Sequence, residues 1–443
     1  MRMKPGRAAL RPMRMKKNLI PSKTELRAAG LAVAALAMAG CGSAAPAPPS
    51  PPPVMAHGVA VREPLVNPRP YGAADTAFGL DVLGAWCRSD PRSNLVLSPT
   101  SLASGLGMAY LGARGGTAQA MAAALHLPAA GGPALEAGLQ ARSAALRGLG
   151  GPGVTVDASD QVWADPTLKT LSSYLNAVAT GYDAGVAQAP LLSSPGRAVA
   201  EIDRAVAAAT RGQIPQLLAP GSLNDIGWVL TDALYLQASW AAPFAPGETS
   251  PGPFTTSAGR QVSAQFMNGG PYSAVTAGGW TAVWLPYRGG KLAMVALLPP
   301  AGASACTMPG ATALGRVTAA LAAGSPGVSD HSIALPKVNL TVNVSMKSLL
   351  TGLGMGVAFT QAADFTGLSP QACCIGLVQQ ADTLRVAEQG TTASAATAVG
   401  VEAGAAFLGP QPITFDRPYL MLVTDSATGE PLFLARVADP TAR

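Results

Sequence analysis

Across residues 76–127 apolar side chains recur every three or four positions, and the run is broken at Pro91, Pro99 and Gly115-Gly116. That spacing predicts amphipathic helices separated by turns. Ser98-Pro99 marks one helix start, since serine caps free amides and proline suits the first turn. A second helical run covers residues 198–210. After Val229 the pattern changes to short stretches rich in Val, Leu, Tyr and Trp, at residues 228–235, 282–286 and 292–298. With turns at Arg288-Gly289-Gly290 and Pro299-Pro300, these read as strands. Helices first and strands later, without regular alternation, predict an α+β fold. No internal repeat is visible.

The first 40 residues stand outside this pattern. Of the chain's 30 basic and 24 acidic residues, nine basic ones (Arg2, Lys4, Arg7, Arg11, Arg14, Lys16, Lys17, Lys23, Arg27) and Glu25 lie there. The remainder is slightly acidic, so the net charge of +6 belongs to this leader and no nucleic-acid partner is expected. A basic stretch followed by an apolar run over residues 28–39, too short to span a bilayer, reads as a signal peptide over residues 1–40. It ends in Met38-Ala39-Gly40-Cys41, which resembles a bacterial lipobox with Met38 in place of the usual leucine. That resemblance implies an exported protein, either secreted or held on the outer side of a cell membrane through lipid on Cys41. Residues 41–73 are rich in Pro and Ala and predict an extended tether, with the folded domain over residues 74–443.

Beyond Cys41 the chain has Cys87, Cys306, Cys373 and Cys374. Export allows one or two disulfides. The adjacent Cys373-Cys374 can bridge itself only with strain, so one of the two is a candidate partner for Cys306 or Cys87. The three histidines, His57, His126 and His331, are scattered and no Cys-x-x-Cys occurs, so neither a metal site nor another cofactor is expected. The exported part contains no Ser-x-x-Lys or Gly-x-Ser-x-Gly, which argues against a penicillin-binding enzyme or an esterase.

One segment carries a distinct physical signal. From Thr391, every second residue is Thr391, Ala393, Ala395, Thr397, Val399 and Val401, all small or β-branched and uncharged. Side chains alternate faces along a strand, so this face could enter a sheet interior where a bulky or charged group would be costly. The other face, Thr392, Ser394, Ala396, Ala398, Gly400 and Glu402, places its single charge last. The segment reads as a strand held out as a loop, over about residues 388–411.

Several stretches resemble serpins, over about residues 74–438. Residues 94–102 (Asn-Leu-Val-Leu-Ser-Pro-Thr-Ser-Leu) are similar to the family's N-(V/I)-x-x-S-P-x-S-(I/L), and residues 111–117 to L-G-A-(R/K)-G-x-T. Residues 210–214 are similar to T-x-G-(K/Q)-I, and Asp232 to Trp240 with Pro243-Phe244 to N-A-(L/I)-Y-F-K-G-x-W and its continuation. Residues 363–368 resemble A-D-F-S-G-(I/L), and residues 415–419 and 431–437 the two C-terminal strands. Glu388-Gln389-Gly390-Thr391-Thr392-Ala393-Ser394-Ala395-Ala396 resembles the hinge of the reactive loop, E-x-G-(T/S)-x-A-(A/S)-A-A. The resemblance implies three β-sheets, a surrounding helical cluster and an exposed reactive-centre loop. It also implies a monomeric suicide inhibitor of serine or cysteine endopeptidases, which traps the acyl-enzyme by inserting the cleaved loop into the main sheet. The alternative is a non-inhibitory serpin-fold binding protein at the cell surface.

The resemblance assigns the hinge to Glu388, Gly390, Thr391, Ala393, Ala395 and Ala396. Ser98 and Ser101 fall beneath the main sheet beside Asp232 and Gln380, which stand where the family has an Asn–His pair. A glutamine amide can donate to a carboxylate, so Asp232 and Gln380 are expected to hydrogen-bond, and a buried Asp232 to make sheet opening pH-sensitive. Trp240 is expected at the top of the sheet, where the loop enters. Counting from the hinge puts the scissile bond at Gly404-Ala405, which suits an elastase- or subtilisin-like target. Counting back from Phe415 puts it at Phe407-Leu408, which suits a chymotrypsin-like one. No Arg or Lys lies between Arg385 and Arg417, which disfavours a trypsin-like target.

Overall fold

The computed structural model describes residues 53–442 except Glu63, Ala130, Ser159 and residues 392–411. Cys41, the hinge residues Ala393, Ala395 and Ala396, and the candidate scissile residues Gly404, Ala405, Phe407 and Leu408 therefore lie outside the described residues.

Strand β1 (Val54–Ala56) precedes helix α1 (Arg69–Ser89), β2 (Leu95–Leu97), α2 (Pro99–Gly112), α3 (Gly115–Ala124) and α4 (Gly132–Arg147). Then follow β3 (Val154–Ala158), β4 (Gln161–Ala164), α5 (Ser172–Tyr182), β5 (Val186–Gln188), α6 (Pro195–Ala209), β6 (Trp228–Asp232) and β7 (Leu234–Ser239). Next come β8 (Ser250–Thr255), β9 (Gln261–Ala277), β10 (Trp280–Pro286), β11 (Leu292–Leu298), α7 (Ala311–Ala323), β12 (Ser329–Pro336), β13 (Val338–Ser345) and α8 (Lys347–Leu350). The chain closes with β14 (Val378–Ala387), β15 (Gly390–Thr391), β16 (Ile413–Thr414), β17 (Tyr419–Asp425) and β18 (Pro431–Val437).

The main sheet runs β1-β5-β4-β6-β14-β15-β7-β3, with β13 on the free side of β14. β6 and β7 are one run of chain interrupted at Ala233, and β4 follows β3 after two residues. The second sheet runs β16-β12-β9-β10-β11-β17-β18-β2, with β8 added to β9. The 17-residue β9 pairs with β8 over Gln261–Phe266, with β12 over Phe266–Ala274 and with β10 over Ala274–Ala277, so it makes the second and third expected sheets continuous.

Local chemistry explains the elements around the site. Ser98 caps α2 by accepting from the Ser101 amide at 3.2 Å, with Pro99 in the first turn. All but one residue of α2 is buried, as befits a helix lying between layers and apolar on every side. Helix α6 buries one stripe, Ala198, Val199, Ile202 and Val206, in a cluster with Val229, Ala233 and Ala381 of the main sheet. It thus lies over the region where β6 meets β14.

The folded part begins earlier than the tether reading places it. Val54–Ala56 pairs antiparallel with Val186–Gln188, and the Val59 and Val61 amides are held by Asn176 Oδ1 (2.7 Å) and Thr180 Oγ1 (2.9 Å) of α5. α1 then starts at Arg69 with Pro70 in its first turn, rather than near residue 74. The proline-rich composition masks a strand of three residues. Among the described residues, no helix is long and apolar enough to cross a membrane.

Candidate functional site

At the top of the main sheet, Gly390 and Thr391 already form a strand between β7 and β14. Gly390 lies opposite Ala387 and Ser239, and Thr391 opposite Val386 and Ala238. Only glycine fits at 390. Its φ is 152°, and a Cβ built there would come 2.0 Å from the Ala238 carbonyl oxygen. Thr391 is fully buried and its hydroxyl is hydrogen-bonded to that of Tyr287.

Trp240 organises this entrance. Its indole Nε1 donates to the Ala387 carbonyl at 2.9 Å and its backbone amide to that of Gln389 at 3.0 Å. The ring stacks on Tyr287, with centroids 4.5 Å apart, and meets Phe244 edge-on. Glu388 is clamped from several sides: its carbonyl accepts from the Phe244 amide, while Oε1 accepts from Lys337 Nζ (2.8 Å) and Thr249 Oγ1 (3.0 Å). Burial opposes ionisation of this carboxyl, but Lys337, its own backbone and Thr249 outweigh it and hold its pKa below the ordinary value.

Lower down, β6 pairs in parallel with β14, and Asp232 lies opposite Gln380. Ser98, Ser101, Asp232 and Gln380 are all buried there. The expected hydrogen bond between Asp232 and Gln380 is not formed: the Gln380 amide donates instead to the Ser98 carbonyl at 3.2 Å. Neighbouring residues on adjacent strands share a face, but here the amide is taken up by the α2 start. Both Asp232 carboxyl oxygens and Gln380 Oε1 are left without a hydrogen bond among the described residues.

Two further carboxyls complete the cluster. Asp382 is fully buried, and its Oδ2 accepts from the Ser98 amide at 3.2 Å. Half-buried Asp160, on the link between β3 and β4, accepts from the Ser101 hydroxyl. Burial raises all three, with Asp160 pushed up to about 7 and Asp382 to about 8. Asp232 is raised by burial and then by its acidic neighbours Asp160 and Asp382. Arg142, the cation whose field reaches Asp160, is committed elsewhere: it bridges Asp75 (2.6 Å) and Glu430 (2.9 Å) and donates to Ser104 and the Thr100 carbonyl. Strand alternation places Asp382 on the same face as Gln380 and could have been read from the sequence. Asp160 and Arg142 arrive from remote segments and carry no local signal.

Cys87 is bridged to Cys306, so neither member of the vicinal pair joins them; Cys373 and Cys374 are free thiols. Among the described residues, no group of acidic, histidine or cysteine side chains could hold a metal ion.

Known proteins resemble this chain along most of its length. The bovine leukocyte elastase inhibitor is 28% identical over 383 residues, covering 83% of this chain and 99% of that protein. "Iris" from Ixodes ricinus is 28% identical over 361 residues, covering 79% and 93%. Among solved structures, the thermophilic serpin tengpin in its native state has a TM-score of 0.74 at 22% identity, covering 87% of this chain and 97% of that one. Thyroxine-binding globulin with thyroxine has a TM-score of 0.70 at 21% identity, covering 84% and 99%. A family model described as serpin (serine protease inhibitor) matches residues 73–440. The chain therefore belongs to the serpin family, described as serine protease inhibitors, and relatives such as the bovine leukocyte elastase inhibitor are named as inhibitors rather than enzymes.

Proposed function

We propose that this serpin is a suicide inhibitor of endopeptidases that prefer small or apolar residues, of elastase, subtilisin or chymotrypsin type. The observation that carries this reading is the pairing of Gly390 and Thr391 between β7 and β14. An inserting strand needs an opening with its register set, and here the first two residues occupy it. A protease attacks the loop between the hinge and Phe415 and forms an acyl-enzyme. Cleavage frees the hinge to continue downward from Thr391, separating β6 from β14 at Leu230–Asp232 and passing beneath α6. Each added residue gains ladder hydrogen bonds and burial, and the loop-out state persists only because the route is obstructed. The attached protease is carried along before water completes hydrolysis.

Between residues 404 and 408 the apolar and small side chains, with no Arg or Lys nearby, support the target class. Lipid on Cys41 would keep the inhibitor at the outer face of the membrane, with residues 42–52 as the remaining tether. The purified domain incubated with elastase- and chymotrypsin-like proteases should give a covalent complex of summed mass on a denaturing gel. The cleaved inhibitor should also resist heating better than the intact one. Complete cleavage without complex would instead favour a serpin-fold binding protein.

A further inference from the structure

The loop leading into β14 holds Cys373 and Cys374 in an unusual arrangement. Adjacent side chains of an extended chain point to opposite faces, yet here the Cys373 and Cys374 sulfurs lie 2.7 Å apart. The loop is anchored on both sides of the pair, by Lys169 N on Gln371 Oε1 (3.0 Å) and by Ile375 N on the Ala358 carbonyl (2.9 Å). Cys373 donates to the exposed Gln361 side chain at 3.0 Å, which gives it a partner on the solvent side. Cys374 faces inward and lines a cavity of about 30 Å³ with Trp228, Leu230, Phe365 and Ile375. Trp228 and Leu230 belong to β6, the strand that must part from β14 for a loop to enter. The Cys87–Cys306 bridge indicates that the chain matures where disulfides persist.

We propose that Cys373 and Cys374 form a redox couple, closed to a vicinal disulfide by exchange with a small-molecule disulfide such as oxidised glutathione. The Cys373 thiolate attacks one sulfur of the reagent, forms a mixed disulfide and expels one glutathione. The Cys374 sulfur then attacks Cys373 Sγ, forms the ring bond and expels the second. The dithiol loses two electrons, the reagent is reduced to two thiols, and the two protein protons end on them. Burial, then the hydrogen bond and charge of Cys373, push the Cys374 thiol up to about 11. The contributions of Cys373 vanish once it is in the mixed disulfide, which frees Cys374 for the second step. A trans peptide holds adjacent Cα atoms about 3.8 Å apart, below the usual span of a disulfide. The ring is therefore strained and easily reduced, the property of a reversible couple rather than a structural staple.

The test uses intact protein with Cys87–Cys306 left oxidised, treated with oxidised glutathione and read by peptide mass and thiol alkylation. The parent should lose both alkylation sites at 373 and 374, become two hydrogens lighter and retain no glutathione. Cys374→Ser should keep glutathione on Cys373, and Cys373→Ser should react far more slowly. Thiols that stay alkylatable in the parent, or glutathione retained there as much as in Cys374→Ser, would overturn the proposal. Protease-complex formation plays no part in this readout, so the result stands apart from the inhibitory reading.

Discussion

Replacing Asp382 by Asn should stabilise the native protein increasingly as pH rises. Asp382 is fully buried, and its pKa of about 8 lies far above the ordinary aspartate value of about 3.9. Unfolding returns it to that ordinary value, so the native state binds one more proton than the unfolded state between these limits. The contribution is most favourable below about pH 4 and is lost progressively as pH climbs towards about 8. At about 1.4 kcal/mol per pH unit, Asp382 alone costs about 4 kcal/mol by neutral pH. Asp160 and Asp232 face the same space and act in the same direction. Asparagine keeps an oxygen for the Ser98 amide and removes the titration. Urea unfolding followed by tryptophan fluorescence at several pH values between about 5 and 8 reads the difference. Stability of the parent should fall steeply across this window, with a shallower fall for Asp382→Asn. Parallel profiles for the two proteins would refute the reasoning.

Gly390→Val should expel the hinge from its slot, because the added side chain collides with the Ala238 carbonyl; the gel assay should show cleavage with the complex lost. Lys337→Met unpairs Glu388, which is 14% exposed, and should cost about 1–3 kcal/mol, seen as a lowered denaturation midpoint. Arg142→Met leaves Asp75 and Glu430 buried and without their cation, a loss of about 3–5 kcal/mol measurable by the same unfolding series.

Much of the fold could be read from short motifs because each has a local mechanism. Ser98-Pro99 opens a helix, Gly390 fits where nothing larger can, and Asp232 and Gln380 stand opposite each other as their motifs imply. Hydrogen bonding at this last pair was harder to foresee. The Gln380 amide bonds the Ser98 carbonyl, and that partner depends on where packing sets the α2 start. The acidic character of the cluster was half visible through Asp232. Asp160 joins it from a strand break 72 positions earlier, and Arg142 from α4, so their grouping depends on packing rather than pattern. β1 carries little sequence signal, because three residues within a proline-rich stretch give too short an alternation to mark a strand.

That short strand has a consequence for how the molecule behaves among copies of itself. A sheet able to accept a new strand is exposed to accepting the wrong one, and unpaired edges are where chains join in error. Without Val54–Ala56, the outer amides and carbonyls of Val186–Gln188 would be open to a neighbouring molecule. The chain covers them with its own N-terminal residues, ending in His57-Gly58, where the strand is too brief to template another. Shortening the protein past residue 58 should therefore be felt first as a tendency to associate at high concentration, before any change at the loop.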